Sequence, residues 1–223
     1  MPVYNAPLKA VDPVETKRYA GLNKAEFNQD RIHAACREIQ VFAEPKGIWQ
    51  VYEYNAQTGE IKAVPPVCIY GEKIRKHLAL AEKVVVLAVT VGEAVEIQIQ
   101  DYFKQGKYSH SLLLDAAATT AVEQAADDME KAIRQQVAPL GYEMVWRFSP
   151  GYGDWDIHFQ PEMLRLSQAA TIEIGLTDSM MLLPRKSITA IIGLIPKENF
   201  CEQKKSIHNC QACAKQDCLA RRK

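Results

Sequence analysis

The strongest apolar signal is KVVVLAVTV at 83–91, a continuous run rich in β-branched residues that predicts a buried strand. SITAIIGLIP at 187–196 alternates enough to predict another strand. Shorter strands are predicted in YEMVWRF at 142–148, ATIEIGL at 170–176 and MMLLP at 180–184. Trp49, Val51, Tyr52 and Tyr54, followed by the turn-like NAQTG and then IKAV, predict a hairpin. Between these lie helical patterns with end signals. In VDPVETKRYAGL, Asp12 is an N-cap, Pro13 suits the first helical position and Gly21 closes the helix. Asn23 is placed to cap a second helix running to about Ala43, closed by Pro45. IYGEKIRKHLAL and PEMLRLSQA read as short helices. GEAVEIQIQDYFKQG reads as a helix ended by Gly106. A much longer one follows from 111, ended by Pro139 and Gly141, and its first turns are rich in Ala and Thr. Small residues there let another backbone or a ligand approach closely. Helices and strands mix without a βαβ rhythm, so the pattern favours an α+β fold with a largely antiparallel sheet.

Composition narrows the class. The chain has 223 residues, enough to bury a substantial core in one or two domains. Lys and Arg balance Asp and Glu at 27 each, so the electrostatic footprint of a nucleic-acid binder is missing. No apolar run reaches the roughly 18 residues of a membrane span. The start, MPVYNAPLKA, lacks the charged and apolar regions of a secretory signal. A cytoplasmic location is therefore expected, where structural disulfides are rare. Cys36 and Cys68 fall in apolar-patterned segments and read as small core residues. Cys201, Cys210, Cys213 and Cys218 instead crowd the polar tail, which ends in LARRK.

One loop concentrates chemistry: RFSPGYGDWDIHF, residues 147–159. Arg147 closes a predicted strand, where its guanidinium can grip a carboxylate through paired hydrogen bonds. Pro150 and Gly151 signal a turn, and Gly151 and Gly153 permit positive φ and close ligand approach. Tyr152 offers a flat apolar face, and Asp154 and Asp156 can accept hydrogen bonds from hydroxyl or amino groups. These groups suit a zwitterionic or ribose-bearing ligand. They equally suit a tight polar turn in which Arg147 bridges to an aspartate.

The R-x-x-x-G-Y pattern followed by a histidine, here Arg147, Gly151, Tyr152 and His158, resembles the activation domain of cobalamin-dependent methionine synthase. The helix pair before it (LAVTVGEAVEIQIQDYFKQG and onward to KAI) and MMLLPRKSITAIIGL after it stand in the family's order. DPVETKRYAGL looks like the start of free-standing members. The resemblance covers roughly 80–196. It implies a single C-shaped domain with a bent, mainly antiparallel sheet flanked by helices. Residues 1–80 would be its N-terminal helices and hairpin, 81–196 the activation-like core and 197–223 a Cys-rich tail. It also implies S-adenosylmethionine binding, with Arg147 on the methionine carboxylate, the Gly151–Tyr152 backbone along the ligand and Glu123 of the long helix on the amino group. Pro150 and His158 belong to the same implied site. Ile191 and Ile192 stand where the family places an aromatic, and Gly153–Asp156 replace its Pro-Ala-Cys-Pro run.

The chain has no D-x-H-x-x-G, the signature of a corrinoid-binding module, and is too short for the other methionine synthase modules. The resemblance thus implies a stand-alone accessory module of cobalamin-dependent methyltransferase activity. Its partner would be a corrinoid protein, or a methionine synthase lacking its own activation domain. Flavodoxin or ferredoxin would supply electrons. The tail spacing C-x8-C-x2-C-x4-C suits thiolate ligation of a 4Fe–4S cluster, with zinc as the alternative and His208 as a substitute ligand. Two other readings compete: a non-catalytic S-adenosylmethionine sensor or corrinoid-protein chaperone, and an unrelated iron–sulfur or zinc protein.

Overall fold

The computed structural model describes residues 3–5 and 8–200; the four tail cysteines lie outside the described residues. The first helix, α1 (Pro13–Tyr19), starts as its sequence requires, with the Asp12 side chain accepting from the backbone N–H of Val14 and Glu15. Helix α2 (Gln29–Phe42) starts five residues later than expected. Its cap is Asn28, which accepts from Asp30 and Arg31, while 22–25 make a turn closed by Ala25 N–H on the Leu22 carbonyl. The hairpin forms from β1 (Lys46–Asn55) and β2 (Glu60–Ile61). Asn55 shapes its turn by accepting from Gln57 and Thr58. Then come β3 (Val67–Cys68), α3 (Glu72–His77), β4 (Lys83–Thr90), α4 (Ala94–Lys104) and the long α5 (Tyr108–Val137). The rest comprises β5 (Tyr142–Met144), α6 (Gln160–Ser167), β6 (Gly175–Leu176), β7 (Leu182–Leu183) and β8 (Ser187–Pro196).

Six strands form one sheet in the order β3-β2-β1-β4-β8-β5, every neighbouring pair antiparallel. The architecture is α+β, a mainly antiparallel sheet flanked by helices. Its central strand explains the unbroken apolar run. Val85, Leu87 and Val89 of β4 face one core with α1, α2, α4 and α5. Val84 and Val86 face a second core with α3 and α6, and Ala88 a third with Ile48 and Ile172. Because both faces of β4 are covered, its apolar run has no polar alternation.

Two predicted strands came out otherwise. Residues 169–172 form a 3-10 turn, flanked by Gln168 and Glu173 at positive φ. Ala169 and Ile172, three apart, bury the same side of it, a spacing that suits three residues per turn rather than a strand. YEMVWRF pairs regularly only through Met144. Met144 opposes Leu194 and Phe148 opposes Ile191, so four steps along this segment span three along β8. That extra residue is a bulge, and it reverses the alternation of side chains. Met144 faces the α5 core; beyond the bulge it is Arg147 that faces α5, and Phe148 turns into the opposite core.

Among the described residues no helix is long and apolar enough to cross a membrane. Cys36 is buried, as expected, with its thiol against Thr16, and Cys68 is half-buried.

Gly193 sits where the second core crowds β8. A Cβ there would lie 2.9 Å from Leu78 Cδ2 and 3.1 Å from both Ala81 Cβ and Val145 Cγ2. Gly193→Ala should therefore lower the unfolding free energy by about 1–3 kcal/mol. A denaturant midpoint equal to that of the unaltered protein would show that the helix α3 end yields freely.

Candidate functional site

The bulge delivers Arg147 to a row of acids on α5. Glu123, Asp127 and Glu130 are spaced i, i+4 and i+7, so they share one face of the helix. Arg147 Nη2 donates to Glu123 Oε2 at 2.7 Å, and Nη1 donates to Asp127 Oδ1 at 2.6 Å and to Glu130. The guanidinium is 22% exposed, Glu130 19%, Glu123 39% and Asp127 58%, so the cluster opens to solvent on its Asp127 and Glu123 side. Burial opposes the Arg147 charge, yet Glu130 and then Asp127 outweigh it and hold the guanidinium ionised well above its ordinary range. Burial pushes the Glu130 carboxyl up, against the pull of Arg147. Tyr19, at the end of α1, feels the cluster's charge: burial first, and then Glu123, push its phenol up.

Three of the five guanidinium N–H groups are used in this way. The Nε–H and one Nη2–H have no partner among the described residues. Two donors therefore remain to which a ligand carboxylate can bond.

The loop beside Arg147 is held by its own backbone. Gly151 N–H donates to the Trp155 carbonyl at 2.8 Å and Trp155 N–H to the Tyr152 carbonyl at 3.1 Å. Gly151 and Gly153 both have positive φ, 88° and 63°, which favours glycine at each position. Tyr152 projects into solvent, 59% exposed, while Pro150 is buried. Three loop residues are spent internally rather than offered to a ligand. Asp154 accepts from Glu72 and Lys73 N–H at the start of α3. Asp156 caps the 3-10 turn at 157–159 and pairs with His158 Nδ1 at 2.7 Å. Trp155 is 2% exposed and belongs to the second core. Ile191 and Ile192 are fully buried as well.

The expected site residues therefore divide. Arg147 and Glu123 meet directly, and Gly151 and Tyr152 form the adjoining turn. His158 bonds Asp156 rather than any member of the Arg147 cluster. Sequence reasoning missed Asp127 and Glu130, although their helical spacing from Glu123 was visible. It also missed an ion pair nearer the start of α5, where Lys186 Nζ reaches Asp115 at 2.9 Å and Thr119 at 2.8 Å. Beneath the loop, His77 Nε2 bonds the Trp146 carbonyl at 2.8 Å and its ring lies 4.2 Å from the Trp146 ring. Among the described residues no group of three or more His, Cys, Asp or Glu is placed to hold a metal.

This arrangement, a long helix across an antiparallel sheet with an Arg-led glycine loop beside it, has the fold of a reactivation domain. One solved structure that carries it is the crystal structure of the MetH reactivation domain bound to AdoHcy. It matches this chain with a TM-score of 0.66 and 12% identity, over 90% of this chain and 80% of that one. At that identity the likeness is one of fold, and at that level it agrees with the resemblance read from the loop and its flanks. No protein-family profile matches the chain, and no curated protein does.

Arg147 is the only cation bonded to these three carboxylates among the described residues. Arg147→Ala should cost about 2–4 kcal/mol of stability at neutral pH, because three acids lose their counter-ion. Adding Glu130→Gln should recover part of that loss, since the most buried of the three no longer carries charge. Denaturant melts of the two single variants and the double variant check this; strictly additive effects would mean that the two residues are not coupled.

Proposed function

We propose that this chain is a stand-alone cytoplasmic activation module. It binds S-adenosylmethionine and supports remethylation of an inactive cob(II) corrinoid carried by a separate protein. That protein is a corrinoid protein or a methionine synthase without its own activation domain. The observation that carries the reading is the bulge-set approach of Arg147 to Glu123, beside the Gly151–Tyr152 turn, in a fold shared with a reactivation domain.

The residues present fit such a ligand group by group. The unused Nε and Nη2 donors of Arg147 suit the amino-acid carboxylate, and Glu123 suits the ammonium. The glycines at 151 and 153 let the ligand lie close to the backbone, and the exposed Tyr152 ring covers apolar surface. Work at this site consists of binding and orientation: the carboxylate and ammonium are fixed so that the sulfonium methyl is presented outward. The corrinoid, on its own protein, supplies the methyl acceptor once it is reduced. Within this reading the four tail cysteines would hold a 4Fe–4S cluster, which would supply one-electron chemistry with flavodoxin or ferredoxin as the donor.

Calorimetry on the full chain purified without oxygen tests both parts. S-adenosylmethionine should bind, and Arg147→Lys, which keeps the charge but loses the planar fork, should weaken it at least about tenfold. Iron and acid-labile sulfide should be present in the same preparation. No heat of binding would overturn the ligand assignment, and an iron-free protein fully active in remethylation would overturn the cluster. Binding without remethylation of a cob(II)-loaded partner would make the chain a sensor or chaperone instead.

A further inference from the structure

The Arg147 cluster is unbalanced. One guanidinium faces three carboxylates, leaving a formal excess of two negative charges at the site. Neighbouring cations offset it only in part. Arg134 acts on Glu130 but bonds Glu143, at 3.5 Å. Lys131 is turned to Asp128 at 2.7 Å, and Lys186 is held by Asp115. Only Glu123 is matched by the ligand's ammonium in the reading above. Asp127 and Glu130 remain, and a carboxylate ligand alone would be repelled by them.

We infer that Asp127 and Glu130 are specificity-determining residues that make the site select a positively charged thioether derivative, the sulfonium of S-adenosylmethionine, over the neutral S-adenosylhomocysteine. The inference rests on the reading of this site as an S-adenosylmethionine site. The two ligands share the carboxylate, ammonium and nucleoside, and differ by one methyl group and one unit of charge. When the methyl leaves for a nucleophile, the C–S electron pair stays on sulfur and the positive charge is gone. The spent ligand then faces the same two acids without its compensating charge and departs more easily. Asp127, the more exposed of the two, also holds the Nη1 edge of Arg147, so the cage keeps the guanidinium aimed while the site is empty.

The test is competitive calorimetry with S-adenosylmethionine, S-adenosylhomocysteine and an analogue carrying a protonated amine in place of the methylsulfonium. The full chain, Asp127→Asn and Glu130→Gln are compared. The full chain should prefer S-adenosylmethionine, with the amine analogue behaving like it. Each variant should reduce that preference about three- to tenfold, the scale of one nearby charge in partly screened surroundings. The ratio of the two affinities is the readout, because any change in competition for Arg147 affects both ligands alike. For the unaltered protein, the ratio should also shrink as salt rises from about 0.05 M to about 0.5 M, which needs no variant to fold. Equal affinity for the two ligands, or a ratio unmoved by both substitutions and by salt, would overturn the inference while leaving the ligand assignment standing. Binding of none of the three ligands would overturn both.

Discussion

Helix α5 meets the sheet through alanines. Ala117, Ala118, Ala121, Ala125 and Ala126 are all at most 1% exposed, against Val85, Leu87, Ala190 and Ile192 of the two central strands. Toward the two ends Leu113, Leu114, Met129 and Ile133 are buried in the same core, and a helix of 30 residues, about 45 Å, is laid along the fold as a fixed bar. Everything proposed for function is measured from that bar. The acids of its outer face stand wherever the alanine stripe puts them. Helices α1, α2 and α4 pack on it in turn.

The second constraint is the single extra residue between Met144 and Phe148. Without it, side-chain alternation would point Arg147 into the opposite core, where a guanidinium has no partner. With it, Arg147 crosses to α5 and Phe148 fills the core behind, stacked toward Trp146 and Trp155. The site is thus a product of helix seating and strand register together. A loop pattern alone cannot create it. The same geometry explains why the ion cluster tolerates partial burial: the guanidinium arrives pre-aimed, and all three carboxylates bond it directly.

Much of the fold could be read from local signals, because those signals are self-contained. Asp12 and Pro13 start α1 as their chemistry requires, the apolar run at 83–91 is the central strand, and Gly141 ends the turn that follows α5. Failures came where tertiary contacts decide. Asn23 and Asn28 are equally good caps by type, and the turn at 22–25 selects the second. Residues 170–172 looked like strand positions, yet with Ala169 they form a 3-10 turn packed at a three-residue period. In the loop, Asp154 and Asp156 had the right chemistry for a ligand. Asp154 instead serves the start of α3, far away in sequence, and Asp156 the 3-10 turn that follows it. Glu123 was found through resemblance, whereas Asp127 and Glu130 needed the helix face to be paired with Arg147. The cysteine tail lies outside the described residues, so its reading still rests on spacing.

The account stands or falls on where the ligand sits. A crystal structure of the full chain grown with S-adenosylmethionine decides this most directly. The account predicts the ligand carboxylate on the unused Nε and Nη2 donors of Arg147, its ammonium on Glu123 and its backbone-facing side along Gly151 and Tyr152. Ligand bound elsewhere, with the Arg147 cage and its loop untouched, would contradict it.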